Sequence, residues 1–106
     1  MKPPELKIGG KIYKAQRPKT KLWREISRYR KVYGDEKAYQ DNPDADEEAF
    51  DALLEIVVQL LPDGITKEDV EESTYLADYV NFAVMGMAWV DFIIIGKGQE
   101  LPAKNG

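Results

Sequence analysis

The sequence predicts a small, mainly α-helical domain that opens with a short N-terminal β-hairpin. Its 106 residues suffice for one domain, and its 43% hydrophobic and 32% charged residues are typical of a globular protein. Apolar residues recur at helical spacing in three segments, and a Gly-Gly pair separates two short strand-like segments near the start. We therefore expect a single helical domain over residues 1–95 and a flexible polar tail over 96–106.

The hairpin is expected over about residues 5–15. Gly9 and Gly10 can supply the positive φ angles that a two-residue turn requires. This turn sets a register in which Leu6 faces Tyr13. Because an isolated hairpin is only marginally stable in water, we expect it to pack against the helices.

Three main helices are predicted, over about residues 21–33, 44–61 and 73–96. The polar segment 35–43 between the first two is expected to be a loop. The segment Thr66–Asp69 resembles a capping box and should open a short helical turn before the last helix.

The last helix is apolar on nearly every side, which is typical of a helix that is buried on nearly every side. Three helices and a hairpin can hardly surround it, so either it forms an ordinary core or part of it contacts another chain. Its polar residues Asn81 and Asp91 are expected to have structural roles. The candidate surface for binding another protein or a second copy of the chain consists of Leu76, Tyr79, Phe82, Met85, Trp89, Phe92 and Ile93.

The same helix bears on membrane association. Its most apolar part, from Val80 to Ile95, has 16 residues and contains Asn81 and Asp91. A bilayer-spanning helix needs about 20 predominantly apolar residues. We therefore expect no membrane span and a soluble protein.

The net charge of −4 conceals a strong asymmetry. Residues 1–40 contain 12 Lys/Arg and 4 Asp/Glu, a balance of +8, whereas residues 41–106 contain 3 and 15, a balance of −12. Such a division suggests packing of one half on the other, head-to-tail association or a phosphate-binding end. A basic face of the first helix is formed by Lys21, Arg24, Arg28 and Lys31.

The composition argues against an enzyme and against a metal site. The chain has no cysteine and no histidine, which removes the usual nucleophile, general base and transition-metal ligands. The acidic cluster around residues 41–48 lacks the glycine that a calcium loop of the EF-hand type needs, since Ala49 occupies that position. We expect no catalytic residue, no metal and no cofactor.

Part of the sequence resembles a known family. The segments Gly10–Tyr13 and Pro18–Arg24, followed by an acidic helical half, resemble the small tail assembly chaperones of long-tailed bacteriophages and prophages, especially those of Gram-positive hosts. The resemblance is sharpest over residues 7–34, and beyond them only element order, size and charge pattern match, to about residue 95.

This resemblance implies a non-enzymatic protein that binds the tape-measure protein and helps to recruit tail-tube subunits during tail morphogenesis. It also implies a homo-oligomer in the host cytoplasm that is absent from the mature virion. Members of the family are often also made as a longer product by ribosomal frameshifting. Ala103-Lys104-Asn105 can be encoded by a slippery sequence.

The alternative interpretation is a small nucleic-acid-binding regulatory protein that uses the basic helix over residues 20–33. Trp23 and Tyr29 could stack on bases beside the basic face. An overall pI of about 4.9 opposes nucleic-acid binding elsewhere on the chain, so nucleic acid is the less favoured partner.

Overall fold

The computed structural model describes the backbone of residues 1–105, and side chains for all of these except residues 38–39 and 97–105. The prediction of a mainly helical domain with an antiparallel N-terminal hairpin is confirmed. In chain order the elements are β1 (Glu5–Ile8), β2 (Lys11–Lys14), α1 (Thr20–Tyr33), α2 (Glu36–Asp41), α3 (Ala45–Gln59), α4 (Lys67–Ser73) and α5 (Leu76–Asn105).

The hairpin has the predicted turn and register. Gly9 and Gly10 adopt φ angles of +59° and +89°, a region of backbone conformation that favours glycine. Leu6 pairs with Tyr13 across the two strands. The alternation of the strand turns Leu6 into the core, while its neighbours on β1 point to solvent.

Backbone hydrogen bonds attach the hairpin to the helices, as its marginal intrinsic stability requires. The Gly9 N–H donates to the carbonyl oxygen of Ser73 at the end of α4, at 3.1 Å. The Gln16 N–H, just after β2, donates to the carbonyl oxygen of Leu60 at the end of α3, at 2.7 Å. Both ends of the hairpin are therefore held by the helical layer.

The short helix α4 begins as predicted. The Thr66 hydroxyl oxygen accepts a hydrogen bond from the Asp69 N–H at 3.1 Å, and the Asp69 carboxylate accepts one from the Thr66 N–H at 2.9 Å. This reciprocal capping box satisfies two backbone donors that a helix start leaves without intrahelical partners.

Two predictions of helix boundaries are wrong. Residues 35–43 do not form only a loop, because α2 occupies Glu36–Asp41. The Asp35 carboxylate accepts a hydrogen bond from the Lys37 N–H at 3.1 Å and caps this helix. Helix α5 does not end near Gly96 but continues to Asn105. The predicted polar tail falls mostly on residues 97–106. The side chains of 97–105, and all of Gly106, lie outside the described part of the chain.

The core lies between α1, α3, the inner face of α5 and the hairpin. Helix α3 contacts α1, α4 and α5, and β1 contacts both α4 and α5. The largest fully buried side chains are those of Phe82, Leu6, Leu22, Ile26, Leu54, Ile56, Leu60, Val57 and Val70.

A close approach of α5 to the end of α3 occurs at Gly86. An ideal Cβ built on Gly86 would lie 2.6 Å from Leu60 Cδ1, well inside van der Waals contact. Leu60 is fully buried and has little free space into which it can move. The missing side chain at Gly86 thus permits the two helices to pack closely.

We expect the substitution Gly86→Ala to strain this contact. Gly96→Ala is the matched control, because an ideal Cβ at Gly96 would meet no heavy atom within 4 Å. Both changes gain about 1 kcal/mol of helix propensity. Overpacking at Leu60 should leave Gly86→Ala less stable than Gly96→Ala by about 1–3 kcal/mol in urea unfolding. Equal stability of the two variants would show that the close approach imposes no constraint.

Candidate interaction surfaces

Helix α5 exposes a line of large apolar side chains on the side that faces away from the core. Val84 and Phe92 are each 54% exposed although both are large and uncharged. We call this surface the outer face of α5. It consists of Leu76, Val80, Val84, Met85, Phe92 and Ile95.

The outer face is largely apolar, but carboxylates lie on the same stretch of α5. Asp78 is exposed between Leu76 and Val80. Between Tyr79 and Gly96 the only polar side chains are those of Asn81 and Asp91. Asp91 forms an ion pair with Arg30, so its carboxylate is already neutralised within the protein. A contiguous exposed apolar surface of this kind is typical of an interaction site.

The structure brings only some of the predicted surface residues to this face. Leu76, Met85 and Phe92 are exposed on it. Trp89 and Ile93 are half-buried, and Trp89 packs partly against the core.

Tyr79 and Phe82, which were also predicted to lie on the surface, are only 3% and 1% exposed, so their assignment to it is wrong. The Tyr79 ring lies 5.4 Å from that of Phe50, and its hydroxyl donates to the Phe50 carbonyl oxygen at 3.5 Å. Burial raises the pKa of the Tyr79 hydroxyl above its ordinary value. Both side chains anchor α5 from inside.

Sequence reasoning missed Val80, Val84 and Ile95. Leu76, Val80 and Val84 recur every four residues, which places them along one side of a helix. That spacing predicts an apolar side of the helix. Because the opposite side is equally apolar, the spacing alone does not show which side faces the core.

The basic face of α1 projects into solvent. Lys21, Arg24, Arg28 and Lys31 are all exposed. None of the four side chains forms an ion pair or hydrogen bond with another residue in the part of the chain that the structure describes. These four cations are therefore not neutralised by the described acidic residues of the chain, and their charge is available to an external partner.

One cation of α1 has an intramolecular partner. Both terminal nitrogens of Arg30 donate to the two carboxylate oxygens of Asp91 on α5, at 2.9 and 2.8 Å. This hydrogen bonding raises the pKa of Arg30 above its ordinary value. The planar, two-point contact links α1 to α5 and gives Asp91 the structural role that was predicted.

A groove of about 340 Å³ lies between the start of α1 and the C-terminal half of α5. Its walls are mainly apolar, and Trp23 in the wall is 50% exposed. We call it the α1–α5 groove. Its lining residues are Pro18, Lys19, Thr20, Trp23, Val90, Ile93 and Ile94.

The acidic cluster starts a helix. Asp46, Glu47 and Glu48 lie in the first turn of α3, where negative charge complements the helix dipole. Among the described residues no three side chains of the metal-ligating types Asp, Glu, His and Cys converge on a common point.

Helix α5 is long enough to cross a bilayer. The prediction that its apolar part is too short for a membrane span is therefore wrong. The segment Leu76–Gly96 has 21 residues and a mean hydropathy of 1.6, and a third of its most apolar window is buried inside the protein. Length and composition of this kind are shared by spanning helices and by core helices of soluble proteins. The burial of Phe82 and its neighbours shows that α5 acts here as a core helix on one side.

We expect the Arg30–Asp91 pair to hold α1 against α5 with a small, salt-dependent energy. Because both side chains are partly exposed, a double-mutant cycle with Arg30→Ala and Asp91→Ala should give a coupling of about 0.5–1 kcal/mol. Chemical unfolding at low and high ionic strength measures it, and the coupling should shrink in high salt. Arg30→Lys should restore only part of it, since lysine cannot make the two-point contact. A coupling of zero would show that the pair does not hold the helices together.

No known protein family, curated protein or solved structure matches this chain. Its function is therefore inferred from these surfaces and from the resemblance over residues 7–34.

Proposed function

We propose that the protein is a non-enzymatic tail assembly chaperone of a long-tailed phage or prophage. It would bind the tape-measure protein and help to recruit tail-tube subunits during tail morphogenesis. The observation that carries the proposal is the largely apolar, exposed outer face of α5. The sequence resemblance over residues 7–34 supports the family assignment.

The binding mechanism is burial of apolar client segments on the outer face. Each Å² of apolar surface removed from water contributes about 25 cal/mol, and flat apolar contact tolerates many client sequences. Met85 adds a flexible, polarisable side chain, which suits the binding of different clients. The proposal requires no catalytic group and no cofactor.

The rest of the fold supports this surface in two ways. The buried anchors Tyr79 and Phe82 hold α5 in place, so the outer face is already formed before a client arrives. Positions 41–106 carry 15 Asp/Glu and 3 Lys/Arg, and this net negative charge would keep a complex soluble while apolar surfaces are being exchanged.

We expect Phe92→Asp to weaken client binding about tenfold or more, because it places a charge in the apolar contact. The assay is co-purification of the chain with the tape-measure protein of the same phage or prophage. Ile12→Asp is the matched control, because Ile12 is also a large, exposed apolar residue (62%, against 54% for Phe92) but lies on the hairpin. Both variants should unfold at the temperature of the wild type within a few degrees, because both residues are on the surface.

One outcome would contradict the functional assignment, and another would contradict the assignment of the client site. If the wild-type chain does not retain the tape-measure protein, the functional assignment is wrong. If Phe92→Asp and Ile12→Asp retain it as well as the wild type does, the function stands but the outer face of α5 is not the client site.

One observation favours the second candidate function, a nucleic-acid-binding regulator. The four cations of the basic face are exposed and without intramolecular partners among the described residues. They could follow a phosphate backbone, and binding would then weaken steeply with added salt.

Under the chaperone proposal we expect no retention of duplex DNA or single-stranded RNA at about 0.15 M salt, because the protein as a whole is acidic. Filter binding over a range of salt concentrations measures this. Retention that falls with salt, and that disappears in Arg24→Glu combined with Arg28→Glu, would favour the regulator instead.

A further inference from the structure

We propose that the α1–α5 groove binds a peptide segment in which a large apolar side chain is flanked by carboxylates. This site is separate from the outer face of α5 and goes beyond the proposed function. Three properties of the groove support it: a shape held by other contacts, apolar walls and a cation, Lys19, that has no ion-pair partner among the described residues.

The shape of the groove is held by contacts within the protein. The two-point Arg30–Asp91 pair joins the helices that form its two sides. Pro18, at the rim, restricts the backbone where the chain enters α1. A ligand therefore meets a cleft whose walls are already in place, which lowers the entropic cost of binding.

The walls of the groove select an apolar side chain. Val90 is buried, whereas Trp23 and Ile94 are 50% and 40% exposed and turn part of their surface towards the cleft. Its volume of about 340 Å³ reaches the lower end of the range of ligand pockets, about 300 Å³. A large apolar residue of a partner would cover these side chains and remove them from water.

The charge around the groove selects acidic neighbours for that residue. Lys19 lines the groove, whereas Lys21 and Arg24 lie nearby in the first turns of α1 but outside the lining. None of these three cations has an intramolecular ion-pair partner within the described part of the chain, whereas the charge of Arg30 is already neutralised by Asp91. A carboxylate on either side of the inserted residue would complement this charge and speed association.

The chemistry of the walls favours a protein segment over a nucleic acid. Proteins that bind single-stranded nucleic acid hold its bases mainly by stacking them on aromatic rings. Here Trp23 is the single aromatic side chain lining the groove, and the facing wall is aliphatic, formed by Val90, Ile93 and Ile94. Aliphatic walls pack well against leucine, isoleucine or phenylalanine side chains.

The test uses the full chain and the fluorescence of Trp23, in a Trp89→Phe background that leaves one tryptophan. The probe is a short peptide with blocked ends in which leucine and phenylalanine alternate with glutamate. Addition of the probe should shift the Trp23 emission to shorter wavelength and saturate, and calorimetry should give the same affinity. The same peptide with lysine in place of glutamate should bind at least about tenfold more weakly.

Two neighbouring residues provide a matched pair of variants. Ile94 lines the groove, whereas Ile95 lies on the outer face of α5 and is 60% exposed. Ile94→Glu should weaken the probe at least about tenfold, and Ile95→Glu should leave its affinity unchanged. Because both residues are partly exposed, both variants should fold. Lys19→Glu, at the rim, gives a second test that changes no apolar contact and should weaken the probe several-fold.

Each other outcome would overturn the proposal. Absence of binding up to about 1 mM peptide would show that the groove takes no such segment. Equal binding of the lysine peptide, or of a peptide with serine in place of its apolar residues, would remove the claimed chemistry. A Trp23 response to duplex DNA but not to the peptide would assign the site to phosphate. A response that depends only on protein concentration would assign the groove to a second copy of the chain.

Discussion

Helix α5 has more apolar surface than a chain of 106 residues can cover, and this shortage determines how the protein is organised. Helix α3 and strand β1 cover one side of α5, and the absence of a side chain at Gly86 allows α3 to come close. Burial there gives the domain its core. No element within the described residues covers the opposite side, and this leaves the outer face exposed.

The two candidate surfaces lie on the same helix but differ in chemistry. The outer face of α5 is largely apolar, which suits apolar segments without a defined sequence. The α1–α5 groove combines apolar walls with the cations of α1, which suits a more selective contact. Asp91 is the one charged residue between Tyr79 and Gly96 on α5. Its ion pair with Arg30 attaches α1 to α5 and so helps to form the groove.

Local chemistry explains why part of the fold could be predicted. The hairpin register follows from Gly9 and Gly10, and the start of α4 follows from the reciprocal contacts of Thr66 and Asp69, so each depends on a few adjacent residues. The buried side of α5 could not be predicted in this way. Because that helix is apolar all round, its sequence has no periodicity to distinguish the side bearing Phe82 from the outer face. Contacts of α5 with α3 and β1, which are distant in sequence, determine which side is buried.

The contact between β1 and α5 has a consequence for synthesis of the protein. Residues 5–8 leave the ribosome early, whereas α5 emerges after α1 to α4, yet β1 and α5 are packed together in the folded domain. Contacts between such distant positions form late and slow folding. The core therefore cannot close on an incomplete chain. A nascent chain without α5 would lack both the outer face and the helix on which β1 packs, so this surface exists only once α5 has been translated.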